Sequence, residues 1–420
     1  MKGAKTYRRL QWRMLLGTMC CYLFFYMGRH NFGWAAKEIT EDLHISYSQV
    51  GWINFSMLMG YALGQLINGN MADHYSPRKM VLWGGLGSVA VNFAISFSHS
   101  YSMIMVLWTL NGYFQSLAWA PGSRIISNWW PEPERGRAFG LYTMAAGFST
   151  VLTFLFSIMI VHQHASWQLL FRLPVLFLLV AVIVFYLMVR DQPADMGLPN
   201  LIEESEKAEK TSWKETYRHV FRNREFMMAS LAMGFENMAR YGLITWVPVH
   251  YLGSNWQQHP RNLWAILLLP VGMAIGAVFF GTISDRLLNY NRPAAIRIGM
   301  LASAAVTLVI CLSPAINLFA GGVLMFAAGF FVYGPQSAFW LMSPDLLTEK
   351  YIGTGVGIMN MSAYVFAAVG DPLWGYLIDK TGKTSSVFGA VIIICLLCAA
   401  TISRIRYKDQ KSYPVAGIGN

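Results

Sequence analysis

Apolar runs long enough to cross a bilayer recur from one end of this chain to the other, and no other feature narrows its possible folds so far. A helix needs about 20 apolar residues to traverse roughly 30 Å of hydrocarbon. Runs of that kind centre near Phe24, Met59, Val91, Val106, Val151, Ala181, Gly242, Val271, Thr307, Met325, Ser362 and Ile394. In hydrocarbon every backbone N–H and C=O must be paired inside the protein, so only helices and closed barrels span it. The alternating segments of roughly ten residues that mark a transmembrane barrel are missing here. The expected fold is therefore an all-α membrane protein with twelve transmembrane helices. Composition agrees: 55% of the 420 residues are hydrophobic and 13% charged, where soluble domains carry about 25% charge.

The basic residues give an orientation. With both termini placed in the cytoplasm, Lys37, Arg172, Arg261, Lys380 and Lys383 fall outside, Arg29 and Arg240 fall within helices, and the other 25 of the 32 lie inside. That asymmetry follows the positive-inside rule for an even number of spans. It also accounts for the net charge of +11 without a nucleic-acid partner, which would need a basic face on a soluble domain. All five cysteines, Cys20, Cys21, Cys311, Cys395 and Cys398, sit in apolar runs, where packing explains them better than redox chemistry or metal binding. The pair His162 and His164 reads as a solvated external turn. There is no phosphate-binding G-x-x-x-x-G-K-[ST] loop, no nucleophile–base arrangement, and no call for a cofactor or metal. Transport driven by ion or solute gradients is expected, not enzymatic catalysis.

Two halves are visible. Residues 190–225 form the longest polar interruption, read as a cytoplasmic linker that ends in an amphipathic helix with a Ser212–Glu215 capping box. It separates a six-helix half over 1–189 from another over 226–420. The run Gly69–Asp73, followed by Arg78, recurs as Gly281–Asp285, followed by Arg286 and Arg292, at an offset of 212 residues. Arg29 and Arg240 are offset by 211, and Pro121 and Pro335 by 214. Pseudo-symmetric halves with a site between them near the bilayer midplane are a known carrier plan. The repeated Gly69, Asp73, Arg78 and Gly281, Asp285, Arg286 sets read equally as a conformational latch or as packing devices.

An arginine in mid-span costs roughly 3 kcal/mol or more, and here there is one in each half. If the halves face each other, two guanidinium forks converge on an anion with several acceptor oxygens. Tyr22, Tyr26 and Arg29 stand at i, i+4 and i+7, on one helix face. Glu236 lies one turn before Arg240, where an intrahelical ion pair is natural. It either neutralises that arginine or carries a coupling proton. Asp371 is a second candidate for the titrating group.

The segments Tyr7–Trp12, Tyr26–Phe32, Trp119–Arg124, Asn128–Trp130, Arg190–Pro193 with Gly197–Pro199, Arg240–Trp246 and Tyr333–Pro335 resemble the organophosphate:phosphate antiporters of the major facilitator superfamily, over nearly the whole chain. The resemblance implies phosphate binding by Arg29 and Arg240, a cavity lined by Tyr22, Tyr26, Gln65, Trp119, Tyr333 and Tyr364, and rocker-switch exchange of an organic phosphate for inorganic phosphate. The members it resembles are bacterial, which implies the cytoplasmic (inner) membrane; a monomer is expected. Gln65 stands where the glycerol-phosphate pattern has a lysine, Ala146 where it has a histidine, and Glu236 where it has an apolar residue. The site has lost positive charge and gained a carboxylate, so a sulfonate, a carboxylate or a zwitterionic phosphonate is also credible. Proton-coupled symport, and ligand sensing of the sugar-phosphate receptor type, remain open alternatives.

Overall fold

The computed structural model describes residues 2–163, 166–200, 212–252, 263–313, 318–348 and 351–405. Regular structure among them is helical, with no strand. The first helices are α1 (Lys2–Phe25), α2 (Asn31–Leu43), α3 (Tyr47–His74), α4 (Pro77–Ile95), α5 (Tyr101–Ser116), α6 (Trp119–Trp129), α7 (Glu132–His162) and α8 (Trp167–Met188). A surface helix, α9 (Trp213–Arg222), precedes α10 (Arg224–Leu252), α11 (Leu263–Thr282), α12 (Arg292–Leu312), α13 (Leu318–Tyr333), α14 (Gln336–Leu346), α15 (Ile352–Thr381) and α16 (Ser385–Ile402).

Eight stretches among the described residues are long and apolar enough to cross a membrane, including Gln49–Ala72, Trp167–Met188, Ile352–Ile378 and Ser385–Ile402. The other four apolar centres fall on helices that are interrupted or carry polar groups. α1 stops at Phe25 and α5 at Ser116; α4 contains Ser88 and Asn92, and α10 contains Glu236, Asn237 and Arg240. Large apolar side chains such as Val106, Leu187, Phe319 and Ile393 stay exposed, as a lipid-facing surface requires. The protein is an all-α integral membrane protein with several spans.

Helices meet where glycine removes the side chain. A Cβ at Gly112 on α5 would collide with the Met57 carbonyl of α3, and one at Gly329 on α13 with the Leu269 carbonyl of α11. Lipid tails are as apolar as leucine, so close backbone packing of this kind carries much of the association in membranes. α3 and α15 run antiparallel along each other. Near one end Asn54 Nδ2 donates to Asp371 Oδ2 at 2.6 Å; near the other, Asn70 Nδ2 donates to Thr354 Oγ1 at 3.3 Å. Between these ends a Cβ at Gly69 would lie 2.9 Å from the Gly357 Cα.

On α9, Trp213 and Phe221 are exposed while Val220 is buried. Its capping box does not form. Ser212 is the N-cap, but its hydroxyl makes no cap bond, and the amides of Glu215 and Thr216 close the first turn on the Ser212 carbonyl at 2.9 and 3.1 Å. The charged run Glu203–Lys210 lies outside the described residues.

Candidate functional site

The tyrosine–arginine stripe does not lie on one continuous helix. α geometry ends at Phe25, Tyr26–Gly28 form a 3-10 turn, and Arg29 takes φ −129°, ψ −43° before α2 begins. The break turns Arg29 across the protein. Its Nη2 donates to the Tyr241 hydroxyl on α10 at 3.1 Å. Its guanidinium carbon lies 4.3 Å from the Tyr61 ring centroid, 4.5 Å from Tyr364 and 5.3 Å from Tyr26. Cation–π contact of this kind is stronger when desolvated, and Arg29 is buried.

Arg240 approaches the same tyrosines from α10. Its guanidinium carbon lies 5.0 Å from the Tyr241 ring and 5.1 Å from Tyr333. The expected ion pair with Glu236 is not formed: among the described residues no carboxylate lies within 4.0 Å of Arg240 or Arg29. Glu236, fully buried, instead accepts from Asn237 Nδ2 at 2.7 Å. With the Gln336 amide turned to satisfy both its ends, its NH₂ donates to the two Glu236 oxygens at 3.0 and 3.1 Å. In the opposite amide orientation Gln336 Oε1 accepts from Arg240 Nη1 at 3.5 Å instead, so this end of the amide serves the carboxylate or the guanidinium, not both at once. Gln336 on α14 thus stands between carboxylate and guanidinium.

Between these groups lies a small central space lined by Tyr22, Tyr26, Tyr61, Trp119, Ala146, Arg240, Tyr333, Gln336, Trp340, Asn360 and Tyr364. One wall is aromatic: Trp119 stacks on Tyr142 at 4.6 Å and meets Trp340 at 5.2 Å. Arg29 Nε, Arg240 Nε and Trp119 Nε1 are buried with no hydrogen-bond partner. A buried donor left unpaired costs about 1–3 kcal/mol, more when charged.

Six of the expected cavity residues, Tyr22, Tyr26, Trp119, Arg240, Tyr333 and Tyr364, do line this space, and Arg29 packs on its rings. Gln65 does not join them. It is buried in the α3–α5 seam, where its Nε2 donates to the Ser116 carbonyl at 3.1 Å. Asp371 faces Asn54, apart from the arginines. Of the repeated turns, Arg78 caps α8 by donating Nε to the Tyr186 carbonyl at 2.7 Å, and Arg286 is exposed. The side chains of Asp73 and Asp285, and those of His162 and His164, lie outside the described residues. Gly281 has only ordinary contact with Ser337. Cys398 donates to the Ala232 carbonyl at 3.1 Å and Cys395 remains a separate thiol; no metal-holding cluster occurs among the described residues. Sequence reasoning missed Tyr61, Tyr142, Tyr241, Gln336, Trp340 and Asn360. Two signals were present: Tyr241 adjoins Arg240, and Gln336 follows Pro335 directly.

A helical bundle in the membrane with two buried cations beside one polar space is the architecture of a solute carrier. The chain belongs to the Major Facilitator Superfamily, whose family model matches residues 18–370. It is a secondary transporter by family and not an enzyme. The curated protein named glycerol-3-phosphate transporter of Bacillus subtilis is 24% identical, covering 93% of this chain and 91% of that protein. The phosphoglycerate transporter protein of Salmonella typhimurium is 25% identical over 94% and 90%. The membrane sensor protein UhpC of Escherichia coli is 24% identical over 95% and 92%. Among solved structures, a bacterial homolog to the human lysosomal transporter Spinster, inward-facing and unoccupied, superposes with a TM-score of 0.70 at 15% identity, covering 94% of this chain and 96% of that one.

Proposed function

We propose that the chain carries a small organic anion of the phosphate-ester, phosphonate or sulfonate kind across a bacterial inner membrane, in exchange for inorganic phosphate. The observation that carries this reading is the meeting of Arg29 and Arg240 on Tyr241 without a carboxylate partner. Two buried forks on one tyrosine suit a tetrahedral anion with several acceptor oxygens. The names of the relatives, phosphate esters in several cases, point the same way. Alternating access would rock two six-helix halves, 1–189 and 226–420, about this space, with 190–225 as the linker and both termini cytoplasmic. In this reading the twelve spans include α1 with α2 and α5 with α6 as broken helices. The latch role of the Gly69 and Gly281 turns belongs to the same proposal.

A second reading, proton-coupled uptake, is favoured by one observation: Glu236 is fully buried and hydrogen-bonded only to amides, an environment that suits a carboxyl able to gain and lose a proton. Asp371, hydrogen-bonded by Asn54, is the second site where a proton could act. The test is a thermal-shift screen of phosphate, phosphate esters, sulfonates and carboxylates, followed by exchange in phosphate-loaded liposomes. Ligand binding with no exchange would overturn the carrier reading in favour of sensing. Binding confined to ligands without a phosphate-like group would overturn the anion assignment.

A further inference from the structure

The break that aims Arg29 needs a physical cause, and residues 20–32 contain no proline to supply one. Leaving α geometry there deprives backbone carbonyls of their usual i+4 partners at membrane depth, where an unpaired group costs several kcal/mol. Side-chain amides from α4 and α5 take them. Gln115 Nε2 donates to the Phe25 carbonyl at 3.0 Å. Asn111 Nδ2 and Asn92 Nδ2 donate to the Gly28 carbonyl at 2.7 and 3.2 Å. Behind them Ser88 Oγ donates to Asn111 Oδ1 at 2.7 Å and accepts from Gln115 Nε2 at 2.8 Å. All four side chains are buried. They close tightly over Gly28, where a Cβ would stand 3.0 Å from Ser88 Oγ, 3.2 Å from Gln115 Nε2 and 3.3 Å from Asn92 Nδ2. Just past the break, Asn31 Nδ2 donates to Asn92 Oδ1 at 2.9 Å and to the Leu170 carbonyl at 3.0 Å.

α10 has no counterpart. It runs as α-helix from Arg224 to Leu252, so regular backbone sets the height and direction of Arg240. Arg29 is placed by four side chains that never reach the central space. We infer that Ser88, Asn92, Asn111 and Gln115 are a positioning set for Arg29. By holding the Phe25 and Gly28 carbonyls they keep the first helix open and its arginine turned toward Tyr241. The set therefore governs anion affinity at a distance. This inference rests on the proposal that Arg29 binds the anion.

The experiment uses full-length protein in liposomes, with exchange of labelled inorganic phosphate as the probe and thermal unfolding recorded for each variant. Asn111→Leu removes the shortest bond to Gly28 and is expected to raise the KM for phosphate about tenfold, equivalent to about 1.4 kcal/mol, with the maximal rate within about threefold. Asn111→Gln, which keeps donor and acceptor, should recover most of that loss. Gly28→Ala, which pushes the set off the backbone from the other side, should give the same KM-selective loss and replaces Asn111→Leu if that variant fails to fold. Arg29→Lys is the control for the parent reading. Wild-type KM in Arg29→Lys would overturn the anion site itself. A large loss there, with Asn111→Leu and Gly28→Ala at wild-type KM, would overturn the positioning role alone. So would equal falls in rate and affinity in Asn111→Leu and Asn111→Gln, or failure of all the variants to fold, since either marks a packing role.

Discussion

Arg29, on the broken segment between α1 and α2, reaches the Tyr241 hydroxyl on α10 at 3.1 Å, and the next residue along α10 is Arg240. One tyrosine thus accepts from the first arginine while the second lies 5.0 Å from its ring. Two cations that would otherwise repel across a low-dielectric space are held together by a neutral aromatic group.

In this state the Tyr241 hydroxyl occupies a donor that an incoming anion would use. Tyr241→Phe removes that competitor without emptying the space. A hydrogen bond to a charged group contributes about 1.5–3 kcal/mol net, so phosphate should bind about 10- to 100-fold tighter, and the ligand-free protein should melt at lower temperature. Phosphate titrations followed by thermal shift decide it. Weaker binding would show that the hydroxyl donates to the anion instead.

Glu236 is hydrogen-bonded by Asn237 and Gln336 and forms no ion pair with Arg240. Glu236→Gln keeps the volume and removes the charge. Phosphate exchange should survive, because neither arginine loses a direct partner. Net uptake driven by a pH gradient should be lost if the carboxyl carries the proton, and substrate entry should no longer acidify the lumen. A variant matching wild type in exchange and in gradient-driven uptake removes Glu236 from the mechanism.

Charge selectivity separates two positions that look alike in sequence. With two arginines and one nearby carboxylate, a monoanionic or zwitterionic substrate should be preferred over a dianion of equal size, since each uncompensated buried charge costs several kcal/mol. Ala146 lines the space, so Ala146→His should shift preference toward the dianion by about tenfold, the dianion itself favouring the imidazolium. Gln65→Lys should not, because its side chain points at the Ser116 carbonyl. Competition between matched sulfonate and phosphate analogues at neutral pH reads the difference. A dianion preference in the wild type, or a shift with Gln65→Lys alone, contradicts it.

Outside the spans, Asp191 joins the ends of α4 and α8, accepting from the Ser76 hydroxyl at 2.5 Å and the Arg78 amide at 2.7 Å. Burial raises its carboxyl above the ordinary value of 3.8, although the bonds from Ser76 and Arg78 pull the other way. The folded state therefore holds the proton more tightly than the unfolded chain. The associated stability is fully present below 3.8 and is lost as pH rises through the raised value. Tm should fall over that interval, and Asp191→Asn should flatten the slope. A slope unchanged in the variant would assign the effect to another group.

The eight apolar spans and both arginines were legible in the sequence because their causes are local. About 20 apolar residues satisfy the bilayer wherever they occur, and an arginine among them stands out by its cost alone. The tertiary structure decided which polar groups meet. Gln65 reads as a cavity residue by resemblance, yet a carbonyl on α5 claims it. Glu236 stands one turn from Arg240, yet Asn237 and Gln336 claim its oxygens. The stripe from Tyr22 to Arg29 reads as one helix face, but Asn92, Asn111 and Gln115, more than sixty residues away in sequence, hold it open. Hydrophobic length is a property of one segment, whereas a buried hydrogen bond belongs to two. Which two come within 3 Å is set by how the helices pack.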